Sequence, residues 1–123
     1  MSFIKRNENV TDEDFRKNWE KEHSQKMLPL LKKYGALYYS QTYISHDGQR
    51  AISQSLFEDK SRTLDYDGIA TIVFPSLQAA EDFSKDTEHS KTVKDDPKVW
   101  IQAGAARIMA GEEVVFLNQI SSK

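Results

Sequence analysis

Residues 2–6, SFIKR, alternate apolar and polar positions over a short stretch, which marks a strand. The next patterned segment changes step. Phe15, Trp19 and His23 follow one another at four-residue intervals, so on a helix they form one ridge ending in an imidazole. Thr11 is a good N-cap, with Asp14 three residues on as in a capping box in which Asp replaces Glu, and Val10 and Phe15 flank the start as a hydrophobic staple. The helix is expected to run from Thr11 to Tyr34 and to stop at Gly35. Pro29 lies inside it and cannot donate to residue 25, so a kink or break is expected near Lys26.

Residues 36–46, ALYYSQTYISH, alternate again and are rich in aromatic and β-branched side chains, which predicts a second strand. HDGQR reads as a turn, and the weakly periodic stretch 47–66 holds at most a short helix around Ala51 to Phe57. Residues 67–74, DGIATIVF, form a third strand with apolar residues on both faces. Ser76 caps a second helix over about 76–88, with Leu77, Ala80 and Phe83 on one face. TVKDDPKVW is expected as a short helix and loop interrupted at Pro97. Residues 101–111 complete the set as a fourth strand, and 113–120 as a short extra strand or ordered tail.

The order β-α-β-(loop or helix)-β-α-β is the split βαβ, ferredoxin-like pattern of an α+β fold with a four-stranded antiparallel sheet, in one domain over 1–123. Helices on one face leave the other bare. Strand 36–46 has apolar members on both sides, so the bare face needs a partner, most simply a second copy of the chain. A one-residue change of register reverses the two faces of that strand. Tyr39 and Gln41, or instead Tyr38, Ser40 and Thr42, therefore look toward the helices.

Charge narrows the function. The 17 basic and 19 acidic residues are scattered, which argues against a nucleic-acid partner and against electrostatic docking to a membrane. No apolar run reaches membrane-spanning length, and the N-terminal residues do not read as a signal peptide. The expected setting is soluble and cytoplasmic. There are no cysteines, hence no thiolate nucleophile or thiolate metal site. The histidines, His23, His46 and His89, show no paired spacing for a metal, and no glycine-rich phosphate loop or nucleophile elbow is present. No metal site is expected.

The block FRKNWEKEHSQKMLPLLKKYGALYYSQTY, followed by YDGIATIVFPSLQAAEDF, resembles the EthD-domain family, with its fungal aromatic-polyketide members as the nearest likeness. Phe15, Trp19, His23, Pro29 and Gly35 carry the first part of the resemblance, and Asp67-Gly68 the second. The resemblance extends over roughly residues 4 to 117. It implies a dimeric α+β barrel in which two ferredoxin-like sheets pack face to face. It also implies a ligand cavity between sheet and helices, and chemistry without a cofactor. Ser24, Gln25 and Lys26 depart from the apolar or proline residues usual after the helix histidine, and the first strand is short.

His23 is the leading catalytic candidate, since an imidazole exchanges protons near neutral pH. The bland alternative is a structural histidine bonded to the opposite strand. Asp67 is most simply a turn or cap carboxylate, and the alternative is that it orients His23 and raises its basicity. Trp19, Met27, Tyr39, Gln41 and Phe83 form the expected substrate-binding set, with Trp19 more simply a core residue. His46 reads most simply as a solvated turn residue, the alternative being that it reaches a cavity mouth. His89 reads as exposed at a helix end, and Arg107 as a cation within the fourth strand that pairs with a carboxylate of the partner or binds an acidic substrate group. The resemblance implies a cofactor-independent lyase, a decarboxylase or dehydratase, acting on a small hydrophobic aromatic of polyketide type. The alternatives are an anthrone-type oxygenase, a cyclase, and a non-catalytic dimer that binds a hydrophobic metabolite.

Overall fold

The computed structural model describes residues 1–95 and 100–120. Strands β1 (Ser2–Ile4), β2 (Tyr38–Tyr43), β3 (Gly68–Val73) and β4 (Arg107–Ile108) form one sheet in the order β2-β3-β1-β4. Every neighbouring pair is antiparallel. Helix α1 (Asp12–Lys17) runs through a π-helical turn (Asn18–His23) into α2 (Ser24–Lys33). Helix α3 (His46–Phe57) follows β2, and α4 (Leu77–Lys85) and α5 (Thr87–Asp95) follow β3. This is the expected α+β, split βαβ arrangement, with the two strands that precede the long helices in the middle of the sheet.

Register assigns the faces. Tyr39, Gln41 and Tyr43 stand opposite Ile72, Ala70 and Gly68, and this side meets the helices. Tyr38, Ser40 and Thr42 stand opposite Val73, Thr71 and Ile69 on the other side. Two apolar clusters hold the helix layer down. Ile4, Phe15, Trp19, Ala70, Trp100 and Ile101 form one, and Met27, Leu31 and Phe83 form the other. Trp19 is 1% exposed, the most completely buried large side chain among the described residues. A Cβ on Gly68 would lie 2.3 Å from Cζ3 of its indole, so this position on β3 takes glycine because the indole rests on the backbone.

Several expectations change once tertiary contacts enter. Thr11 caps as expected, its Oγ1 accepting from the Asp14 backbone N–H at 3.1 Å, and Gly35 takes the left-handed φ of +73°. The irregularity of the long helix, however, is the π turn at 18–23. The α pattern resumes at Ser24 and continues through Lys26 and Pro29. The carbonyl of Trp19 is drawn to the sheet by the side chain of Gln41, and the backbone N–H of Ser24 bonds back to the same carbonyl. The second strand stops at Tyr43, and His46-Asp47-Gly48 opens a helix where a turn is expected. Ser45 is its N-cap, with Oγ accepting from Gly48 N–H at 3.1 Å, and a Cβ on Gly48 would press on that oxygen at 2.9 Å.

The helix expected over 76–88 divides at Asp86, whose Oδ1 caps the next helix by accepting from Glu88 N–H. His89, expected to be exposed, is half-buried with its ring 4.1 Å from that of Phe83. The fourth strand shrinks to two residues because its small side chains give little to pack. Ile101 makes only a bridge to Arg6, and Ala103–Ala105 is a 3₁₀ turn. Arg107 is exposed and donates to the carbonyls of Gly104 and Ala106. Residues 113–120 carry no regular structure, and Pro97 lies outside the described residues.

Two predictions come from this packing. Gly68→Ala forces a methyl into the Trp19 ring and should lower stability by about 1–3 kcal/mol or more, read as a fall in the urea midpoint. The second concerns acid. Hydrogen bonds from Tyr34 and then Lys33 hold the Asp86 carboxyl well below the usual carboxylate range, while burial holds the His89 imidazole below its ordinary value. Both folded-state values are depressed. The His89 contribution is therefore complete above about pH 6.5 and declines as pH falls toward its folded value, and the Asp86 contribution declines below about pH 4. Urea midpoints measured from pH 7 to pH 3 should fall in these two stages, and Asp86→Asn should shrink the lower one.

Candidate functional site

The helix-side face of β2 carries a closed polar network inside an aromatic wall. Gln41 donates through Nε2 to the Trp19 carbonyl and to the Tyr39 hydroxyl, both at 2.9 Å, and its Oε1 accepts from the Tyr43 hydroxyl at 2.7 Å. Every polar end of the amide is used. Burial raises the phenol pKa of Tyr39, and burial followed by the charge of Glu20 pushes that of Tyr43 up to about 12. Both phenols therefore stay protonated near neutral pH and do not act as bases; the Tyr43 hydroxyl donates to Gln41 and the Tyr39 hydroxyl accepts from it. The guanidinium of Arg16 lies 4.2 Å from the Tyr43 ring centre and bonds to Glu20.

His23 ends the π turn, half-buried, with its ring edge-on to Trp100 at 5.6 Å. Trp100 also packs on Phe15, so the ridge of Phe15, Trp19 and His23 read from the sequence does meet a common wall. His89 lies close enough for the charge of His23 to help lower its pKa. The three substrate contacts expected of Trp19, Met27 and Phe83 are taken up by packing. These side chains are 1%, 5% and 4% exposed and have no free face to offer a ligand. Tyr39 and Gln41 do look toward the helices, where their polar atoms already bond one another and the Trp19 carbonyl.

Asp67 goes elsewhere. It precedes β3, and its Oδ2 accepts from Arg6 N–H at 2.8 Å. Its Oδ1 lies 2.9 Å from Nε2 of His46, so the imidazole this carboxylate orients is His46 and not the alternative, His23. Nδ1 of that ring faces the Gln49 amide at 3.4 Å, and the same amide donates to the Leu64 carbonyl at 3.2 Å. Asp67, His46 and Gln49 thus join the start of β3 to the first turn of α3 and to the loop that follows it.

Gln49 also lines a half-open cavity of about 370 Å³ on the sheet face away from α1, α2 and α4. Phe3, Ile44 and Ile69 form its floor, Ile52 and Phe57 of α3 its roof, and Arg62 stands among the loop residues at its side. Sequence reading assigns no role to Gln49, Arg62 or this face of α3. The signal that could have found them is the i, i+3 pairing of His46 with Gln49, which becomes visible only once residue 45 is taken as a cap. Among the described residues no group of three or more His, Cys, Asp or Glu side chains is placed to hold a metal ion, and no helix is long and apolar enough to cross a membrane.

Comparison with known proteins adds the following. A dehydratase, ustZ, from Ustilaginoidea virens is 24% identical over 102 residues, which span 83% of this chain and 73% of that protein. No solved structure matches. The family model of the EthD domain matches residues 7–104, a span that includes the whole π-turn helix, β2, α3, β3 and the Asp67–His46 pair. On that match, the chain belongs to the EthD domain family.

Proposed function

We propose that the protein is a cofactor-independent lyase, a dehydratase or decarboxylase acting on an aromatic polyketide-type intermediate as a homodimer. The observation that carries this reading is similarity to a dehydratase along most of the chain, within a family match that spans both the long helix and the central strand. Dehydration needs a base to take the proton from the carbon next to a carbonyl and an acid to deliver a proton to the departing hydroxyl, so that water leaves. Decarboxylation needs only the delivery, a proton reaching the ring carbon as the bond to the carboxylate carbon breaks. One imidazole serves either reaction. His23 is the proposed group, half-buried and held by the π turn against Trp100.

A second reading assigns the proton to His46. Its support is the 2.9 Å contact with Asp67, which fixes the orientation of an imidazole that also faces Gln49, a residue lining an apolar cavity. Variants separate the two. With anthraquinone-type acids and hydroxylated precursors as substrates, and loss of water and CO2 followed, the substitution at the working histidine should cut turnover by about a hundredfold or more. If His23→Gln does so and His46→Gln does not, His23 is the acid/base, and the reverse result moves the chemistry to the opposite face. Full turnover in both variants, or no turnover of any such substrate by the unaltered protein, would refute the lyase reading.

The homodimer reading is supported by the outer sheet face. Thr42, exposed, stands opposite Ile69, and Ser40 opposite Thr71, a surface of small and apolar side chains without a charge among them. Sedimentation at micromolar concentration should give a dimer, and Thr71→Arg should give a folded monomer. A monomeric parent protein would contradict the proposal.

A further inference from the structure

We infer that the cavity between α3 and the outer face of the sheet is a binding site for a flat aromatic molecule carrying one anionic group, a carboxylate or an ionised phenol. This goes beyond the lyase reading and stands without it, because it concerns equilibrium binding at a site the helix-side residues do not reach.

The argument begins with how the cavity is built. Helix α3 is tied to its surroundings at intervals along its length. His46 is held by Asp67, Gln49 by the Leu64 carbonyl, and Ser53 donates through Oγ to the Asp59 carbonyl. These tethers satisfy polar groups, while apolar side chains of the same helix stay exposed along the cavity. Ile52 is 60% exposed and Phe57 49%. Below them Phe3 lies ring to ring with Tyr66 at 5.4 Å, so floor and end wall present aromatic surface. A space of about 370 Å³ falls in the range of small-ligand sites and suits about two or three fused rings. Covering apolar surface on both faces of a flat ring is the most favourable use of such a slot.

Charge selects the substituent. Arg62 lines the cavity, and its guanidinium lies 4.4 Å from the centre of the Phe57 ring. Among the described residues it has no carboxylate within ion-pair distance. Two nearby carboxylates are engaged elsewhere, Asp65 by Lys5 and Asp59 by the backbone N–H and hydroxyl of Ser61. A guanidinium stacked on an aromatic ring keeps its in-plane N–H donors for an anion, and it holds a carboxylate through two parallel bonds. Gln49 and Thr63 add polar groups to the lining for a hydroxyl or carbonyl elsewhere on the ring system.

The test uses 2-naphthoate and its neutral isostere 2-naphthamide, titrated against the full chain by calorimetry and by amide chemical-shift mapping. The expected result is one saturable site per chain for naphthoate, with shifts at Ile44, Ile52, Phe57, Tyr66 and Ile69. Arg62→Gln, a change at an exposed side chain, should weaken naphthoate by about tenfold and leave naphthamide unchanged. Ile52→Trp, which fills the slot from the roof, should abolish both while the melting temperature is retained. Three results overturn the inference: no saturable binding at millimolar ligand, shifts confined to other parts of the chain, or naphthoate affinity indifferent to Arg62→Gln. Because no turnover is measured, binding here together with full turnover in both histidine variants, or with no turnover by the unaltered protein, would refute the lyase reading and leave the site standing.

Discussion

The contact between the Trp19 indole and the bare backbone of Gly68 is the constraint on which the rest of the molecule depends. With a Cβ at that position only 2.3 Å from the ring, helix and sheet approach as closely as they do because one side is glycine. The approach brings the Trp19 carbonyl within 2.9 Å of Gln41, and the helix meets it with a π turn in which that carbonyl also takes the N–H of Ser24. The same turn ends at His23 and sets its ring against Trp100. The proposed proton carrier is thus positioned by a packing decision made four residues before it and by a strand far along the chain.

The two sheet faces carry different chemistry as a result. Toward the helices, an aromatic wall encloses a hydrogen-bonded amide and two phenols that hold on to their protons. That side is rigid and largely satisfied, the condition in which buried polar groups specify a structure. On the far side a single helix is tethered across part of the sheet, leaving an apolar slot with a cation at its edge and a histidine–aspartate pair at its hinge. Members of one family retain a fold while the chemistry is carried by individual side chains, and the proposed function turns on which of two imidazoles, His23 or His46, carries it.

Much of the helix-side structure was legible in the sequence. The Thr11 cap, the Gly35 stop, strands β2 and β3 and the antiparallel α+β order follow from local periodicity and cap chemistry, which act within a few residues. The misreadings have a common cause in contacts over long sequence distance. The π turn answers to Gln41, and nothing within residues 18–23 announces it. Asp47-Gly48 has the composition of a turn, yet the Ser45 hydroxyl makes it the first turn of a helix and swings His46 toward Asp67. His89 looks polar and exposed in isolation and is half-buried because Asp86, bonded to Lys33 and Tyr34, breaks the helix just before it. The small residues of 101–111 permit a strand without requiring one, and only Arg107–Ile108 pairs with β1. Of the candidate site, the residue types were legible and the partnerships were not: Asp67, read most simply as a turn or cap carboxylate, accepts from Arg6 N–H and bonds to His46, and the cavity beside α3 has no local signature.

The central claim is the seating of the Trp19 ring on Gly68, and proton NMR tests it directly. An indole stacked on the glycine should shift the Gly68 α-protons strongly upfield through its ring current and give cross-relaxation peaks between them and the Hζ3 and Hη2 protons of Trp19. Gly68 α-protons at ordinary strand shifts, with no such peaks to the indole, would contradict the account.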